Sequence, residues 1–92
     1  MVQVVWTRGA AAELRAIRAY IAQFSPLAAQ RLSQKIISSA QSLESTSDRG
    51  RPISDGRREL VVIHPYLIRY IRHSEAVVIL EIRHGAREPD AT

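Results

Sequence analysis

The chain has no cysteine among its 92 residues. Disulfides, thiol nucleophiles and cysteine-ligated zinc are therefore excluded. Aromatic residues are scarce, with one Trp, one Phe and three Tyr, and Lys35 is the sole lysine. No apolar run approaches the roughly 20 residues that a helix needs to cross a bilayer. The three histidines, His64, His73 and His84, have a spacing that fits no metal motif, and no cofactor is expected. The opening stretch, Met1 to Thr7, lacks the basic and apolar regions of a secretory leader, so the expected location is cytoplasmic.

What remains is an apolar content of 46% spread over one domain, residues 1–92. A domain of this size buries a limited share of its surface and is marginal alone, which an obligate partner would relieve. The net charge is +4, and twelve of the thirteen basic residues are arginine. Planar guanidinium forks suit carboxylates and phosphates. A solvated basic surface, an acidic protein partner and a nucleic acid all remain open on composition alone.

Val2 to Trp6 is β-branched and ends in an aromatic, as a short strand does. Thr7 offers a capping hydroxyl to a helix from Arg8 to Phe24. Its stripe falls at Leu14, Ile17, Ile21 and Phe24, a spacing of three and four. Ser25-Pro26 ends this helix and starts the next, because proline fits only the first turn. The second helix runs from Pro26 to about Leu43, with Ala29, Leu32, Ile36, Ala40 and Leu43 on its stripe. So tight a break predicts an antiparallel helical hairpin. Ser45 to Gly56 is rich in Ser, Asp, Gly and Pro and is expected to be a loop.

The period then becomes strand-like over Arg57 to Ile63, Tyr66 to Arg72 and Val77 to His84. Connections this short predict an antiparallel meander. The tail, residues 86–92, is expected to be loose. The fold class is α+β, ordered β-α-α-β-β-β, with the hairpin on one face of a small, mainly antiparallel sheet.

Alternation assigns faces to the strands. Val78, Leu80, Ile82 and His84 share one side of the last strand, and this set is the expected core side. Arg69 lies with Leu67 and Ile71, opposite Ile68, Tyr70 and Arg72. Glu59, Arg69 and Glu81 are placed to form a cross-strand charge ladder. The alternative is an arginine-lined surface made by Arg58, Arg69, Arg83 and Arg87, free to meet another macromolecule.

Several segments then resemble one family, in order and over nearly the whole chain. They are Val5-Trp6-Thr7, Tyr20-Ile21, Ala28-Ala29, Arg58-Glu59-Leu60-Val61-Val62, Pro65-Tyr66-Leu67-Ile68-Arg69-Tyr70 and the closing stretch from Ile79 to Arg87. The chain resembles ParE-type toxins of the RelE/ParE superfamily. That resemblance implies the same hairpin-on-sheet fold and a toxin neutralised by a ParD-like antitoxin with an acidic, poorly ordered arm. It also implies one of two activities. RelE-like members are ribosome-dependent, metal-free mRNA endoribonucleases, and ParE-like members are understood to poison DNA gyrase by binding.

Metal-free RNA cleavage needs a base, an acid and cations for the phosphorane. The cations here are Arg58, Arg69, Arg83 and Arg87, and the candidate acid or base is His84, since histidine is a residue type suited to proton transfer. A histidine on an apolar side is more often a packed core residue, however, and no tyrosine follows Tyr70. The expectation is a gyrase-directed toxin whose target surface lies at Arg83 and Arg87, with Arg58 and Arg69. The antitoxin arm is expected over the hairpin, at Ala12, Arg15, Tyr20, Arg31 and Leu32. An RNase or a non-toxic interaction module are the alternatives.

Overall fold

The computed structural model describes residues 2–85, and Arg87 and the expected loose tail lie outside that range. Strand β1 (Gln3–Trp6) is followed by helices α1 (Arg8–Ala22) and α2 (Pro26–Gln41), a short strand β2 (Arg51–Pro52), and strands β3 (Arg57–Ile63), β4 (Tyr66–His73) and β5 (Ala76–His84). The five strands make one sheet in the order β1-β5-β4-β3-β2.

The helix boundaries follow from local chemistry. The Thr7 side chain accepts a hydrogen bond from the Ala10 N–H, and Ser25 accepts one from Ala28, with Pro26 opening α2. Each cap satisfies a donor that has no partner within its helix. The α2 stripe is the inner surface: Ala29, Ile36, Ala40 and Leu43 are buried, and Leu32 is half-buried. Leu14 and Ile17 of α1 pack against the same core. Phe24 does not. It lies beyond the end of α1 and is 74% exposed, so the first stripe stops at Ile21.

The meander forms as expected, with β3-β4 and β4-β5 antiparallel. Two features go beyond what the sequence specifies. The first strand pairs parallel with β5, Gln3 to Trp6 lying opposite Ala76 to Ile79, which makes the sheet mixed. The predicted loop also contributes β2, which pairs with Arg58 and Glu59 on the outer side of β3.

The core side of β5 is corrected as well. Val77 and Ile79 are fully buried, whereas Val78 and Leu80 are only half-buried. Ile79 is opposite Tyr70 and Glu81 opposite Arg69, so Leu80 is an extra residue with no partner on β4. Such a bulge reverses the alternation. Beyond it the even-numbered Ile82 takes up the buried role.

Tyr70 ties the sheet to the loop before β2. It is fully buried, its hydroxyl accepts from the Gly50 N–H at 2.8 Å, and it donates to the Ser47 carbonyl at 2.8 Å. A side chain at Gly50 would place its Cβ 2.8 Å from the Tyr70 ring, closer than carbon atoms approach without movement, so only glycine fits under this hydroxyl.

Candidate functional site

The face of the sheet bearing Glu59 and Arg69 carries a line of alternating charge. Arg51, Glu59, Arg69 and Glu81 occupy successive strands β2, β3, β4 and β5 in register. Arg51 reaches Glu59 at 2.9 Å, and Arg69 reaches Glu59 at 3.0 Å and Glu81 at 3.5 Å. Arg57 and Arg83 flank Glu81 at 3.8 and 3.6 Å. The ladder foreseen from strand alternation is thus formed, and it extends to α1, where Glu13 lies 3.7 Å from Arg83.

Glu59 is the anchor of this line. It is 9% exposed. Burial pushes its carboxyl upward, but hydrogen bonds from Arg51 and Arg69 and their positive charge outweigh it and hold the group below its ordinary value. A carboxylate that accepts from two guanidinium groups is favoured in its charged form.

Three of the four arginines of the alternative surface, Arg58, Arg69 and Arg83, are therefore engaged within the chain. Arg69 and Arg83 lie in the ion-pair line. Arg58 donates to the carbonyls of Asp48 and Gly50 at 3.2 and 2.7 Å and so holds the loop before β2. The physical reason is local supply: Glu59, Glu81 and Glu13 sit within reach, and two backbone carbonyls face Arg58. Arg87 lies outside the described residues.

His84 follows Ile82 on the helix side of β5 and is half-buried. Its ring stands edge-on to Tyr66, with centroids 5.0 Å apart. Ala16, Ile17 and Tyr20 of α1 complete a cleft of about 230 Å³ around the pair. The His84 Nδ1 is buried with no hydrogen-bond partner among the described residues. The neighbours of the ring are aromatic and aliphatic, which is packing, with a cleft beside it. Among the described residues no group of three or more His, Cys, Asp or Glu is placed to hold a metal.

A second and larger cleft, about 370 Å³, opens between α2 and the end of β3. Leu27, Ala28, Arg31, Leu32, Lys35 and Ile63 line it. Its floor is aliphatic, and its two cations come from α2. Ile63 of this cleft and Tyr66 of the other are cross-strand partners, so the clefts flank the same β3-β4 turn. Phe24 stands nearby in sequence and packs edge-on to Tyr20, with centroids 5.4 Å apart.

The five residues expected to meet an antitoxin divide accordingly. Arg31 and Leu32 line the α2 cleft and Tyr20 the His84 cleft. Ala12 and Arg15 are exposed on α1 and line neither. Sequence reasoning missed Phe24, Leu27, Val61 and Ile63, four of the large apolar side chains that are exposed. Periodicity places Phe24 on the apolar stripe of α1, and alternation marks Val61 and Ile63 only as strand residues.

Known proteins match this architecture along its length. A family model described as the ParE toxin of the type II toxin–antitoxin system, parDE, matches residues 4–89. A curated relative from Caulobacter vibrioides named Toxin RelE2 is 53% identical over 87 residues, covering 95% of this chain and 99% of that protein. Toxin RelE3 of the same organism is 38% identical over 76 residues, covering 79% of this chain and 83% of its own length. A solved chain from the chromosomal ParDE system of P. aeruginosa superposes with a TM-score of 0.81 at 29% identity, covering 91% of this chain and 96% of that one. With the hairpin, the mixed sheet and a family match over nearly all residues in agreement, this chain belongs to the ParE toxin family of type II toxin–antitoxin systems, within the RelE/ParE superfamily.

Proposed function

We propose that the chain arrests growth by binding DNA gyrase, and that a ParD-like antitoxin with an acidic arm neutralises it in the cytoplasm. The observation that supports binding over RNA cleavage is the charge pairing on the sheet. Each described arginine that cleavage would enlist already faces carboxylates or carbonyls of its own chain. Phosphorane stabilisation calls for cations aimed at the developing negative charge. Here Glu59 and Glu81 stand beside Arg69, and Glu13 and Glu81 beside Arg83, so an approaching phosphate meets carboxylates as well as guanidinium groups. Arg83 and Arg87, at the end of β5 and just beyond it, are the proposed gyrase contacts, with Arg58 and Arg69 holding the sheet and loop behind them.

The ribonuclease reading has its own support in the relatives named RelE2 and RelE3 and in the cleft beside His84. One experiment separates the two. The chain is expressed alone, and gyrase supercoiling and the integrity of translated mRNA are assayed in parallel. Loss of supercoiling with intact mRNA is the expected result. Cleaved mRNA with normal supercoiling overturns the proposal in favour of an RNase, and neither effect from a folded chain leaves an interaction module.

A further inference from the structure

The outermost strands of the sheet are β1 and β2, and an outermost strand needs some device against pairing with other chains. In β1 that device is missing. Gln3-Val4-Val5-Trp6 holds no lysine, no proline and no charged side chain, and its register with β5 runs without a bulge. The Gln3 N–H donates to the Glu75 carbonyl and the Thr7 N–H to the Ile79 carbonyl. Odd-numbered residues thus turn their backbone groups towards β5, and by strand alternation Val4 and Trp6 turn theirs outward. No described strand lies on that outer side, and no described residue bonds to the Val4 or Trp6 N–H.

The two faces of β1 differ. Val4 and Trp6 pack against the core, whereas Val5 lies on the opposite face and is 41% exposed. Val5 is in register with Val78, and Val78 with Ile71, both half-buried. An aliphatic row therefore crosses β4, β5 and β1 and ends in solvent at Val5. The charged groups of this face find partners within the chain, and the aliphatic row runs out of them at β1. Opposite charges flank the strand. Arg8, which is exposed, follows its C-terminal end. Glu44 and Glu75 stand at its beginning, their carbonyls accepting from Val2 and Gln3.

We infer that β1 is a self-association edge, at which two copies of this chain pair antiparallel about a twofold axis at Val5. The outward pattern fixes the register. Residues that exchange hydrogen bonds across an antiparallel pair both turn their backbones to the partner. Val4 and Trp6 are those residues, so Val4 of each copy lies opposite Trp6 of the other, and Val5 opposite Val5. The contact is isologous. Val5 falls in a non-hydrogen-bonded pair, where Cα atoms come about 4.5 Å apart and side chains are closest. The two aliphatic rows then join into one across the axis. The same register sets Arg8 of each copy beside Val2 of the other, at the end that holds Glu44 and Glu75. An uncharged strand between a cation and two carboxylates complements its own twofold copy, which lets a chain of net charge +4 pair with itself at this edge. So short a strand makes a small interface, in the range of weak association. Pairing through β1 is independent of which target the toxin acts on.

The test exploits the absence of cysteine from the full, untagged chain. Val5→Cys places one thiol per copy at the axis, within the Cα separation that a disulfide spans. Gln3→Cys places it on the same face but four residues along the strand from its counterpart, beyond disulfide reach. Under diamide, Val5→Cys is expected to form a linked dimer at least about tenfold faster than Gln3→Cys. Equal rates overturn the inference, because collision alone then explains the linkage. In sedimentation of the wild type between about 10 μM and about 1 mM, the mass is expected to shift from one chain towards two. The Val4 and Trp6 amides are expected to exchange at least about tenfold more slowly at the upper concentration. Val5→Lys sets like charges against each other and is expected to stay monomeric over the same range. A wild type that stays monomeric throughout, or that associates while Val4 and Trp6 exchange unchanged, overturns the inference whether or not a cysteine variant folds. So does a Val5→Lys chain that associates as the wild type does. Protection of Val4 and Trp6 that appears only with purified antitoxin also overturns it, because the edge then serves another partner. Gyrase inhibition is read in the supercoiling assay and bears only on the target.

Discussion

The outer sides of β5 and β3 solve one problem in opposite ways, β5 beyond the short edge strand β1 and β3 beyond the short edge strand β2. At β5 the chain completes its own backbone pairing with side chains, Thr7 and Glu13, delivered by the first helix. At β3 it stops after two residues of β2 and leaves Val61 and Ile63 in solvent. The occupied edge carries charge that continues into the ion-pair line across the sheet, through Arg83 and Glu81 to Arg69 and Glu59. The open edge carries aliphatic side chains that continue into a cleft. The difference teaches that exposure in this molecule is local: the charges on the sheet are paired within the fold, and at the end of β3 aliphatic side chains face outward.

The largest effect in this contrast is expected from Glu59, the anchor of the charged line. Glu59→Gln leaves Arg69 and Arg51 without their shared carboxylate and should cost about 2 kcal/mol in urea unfolding. The same residue gives the line a pH dependence. Its carboxyl is held below the ordinary value in the folded chain, so its contribution is fully present above the unfolded value, near about 4.3. It is lost as pH falls through the lowered folded value. The melting temperature of the wild type should therefore drop more steeply in that acid range than that of the Gln variant. Parallel curves would show that the ladder is decoration.

Tyr70→Phe tests what limits the open edge. It removes the hydroxyl that serves Gly50 and Ser47, and should also cost about 2 kcal/mol. Because those residues lead into β2, the Glu59 amide on the β2 side of β3 should lose exchange protection and the open stretch of β3 should lengthen. A smaller cost, about 1 kcal/mol, is expected for Glu13→Ala. Its signature is faster exchange at the Ile82 amide, converting the occupied edge into a second open one. If Ile82 stays protected, the helix does not close that edge through Glu13. The smallest effect belongs to Val61→Thr, which exchanges one exposed β-branched side chain for another and should alter stability by less than about 0.5 kcal/mol.

How far the sequence could be read depended on the range of the interactions. The caps at Thr7 and Ser25, the proline at the start of α2 and the α2 stripe were legible because each rests on neighbours within four residues. The ladder was legible because Glu59, Arg69 and Glu81 keep a constant phase on either side of short turns. Phe24 misled because periodicity continues on paper past Ala22, where the helix ends. Val78 and Leu80 misled because one extra residue at Leu80 reverses the phase and leaves no mark in composition. The arginines were ambiguous because a guanidinium group reads alike whether its partner is solvent or a carboxylate 70 positions away, as Glu13 is from Arg83.

By itself the sequence determined the elements other than β2, their caps, the helical hairpin, the meander and the family to which the chain belongs, since these rest on local propensity, periodicity and motif order. Only the tertiary structure decided that β1 lies parallel to β5, that β2 ends at Pro52, that α1 meets β5 beyond β1, and that the outer side of β3 is unpaired beyond β2. Those outcomes depend on contacts between residues far apart in the chain. Such contacts form only where the packed core has already brought their backbones to hydrogen-bonding distance.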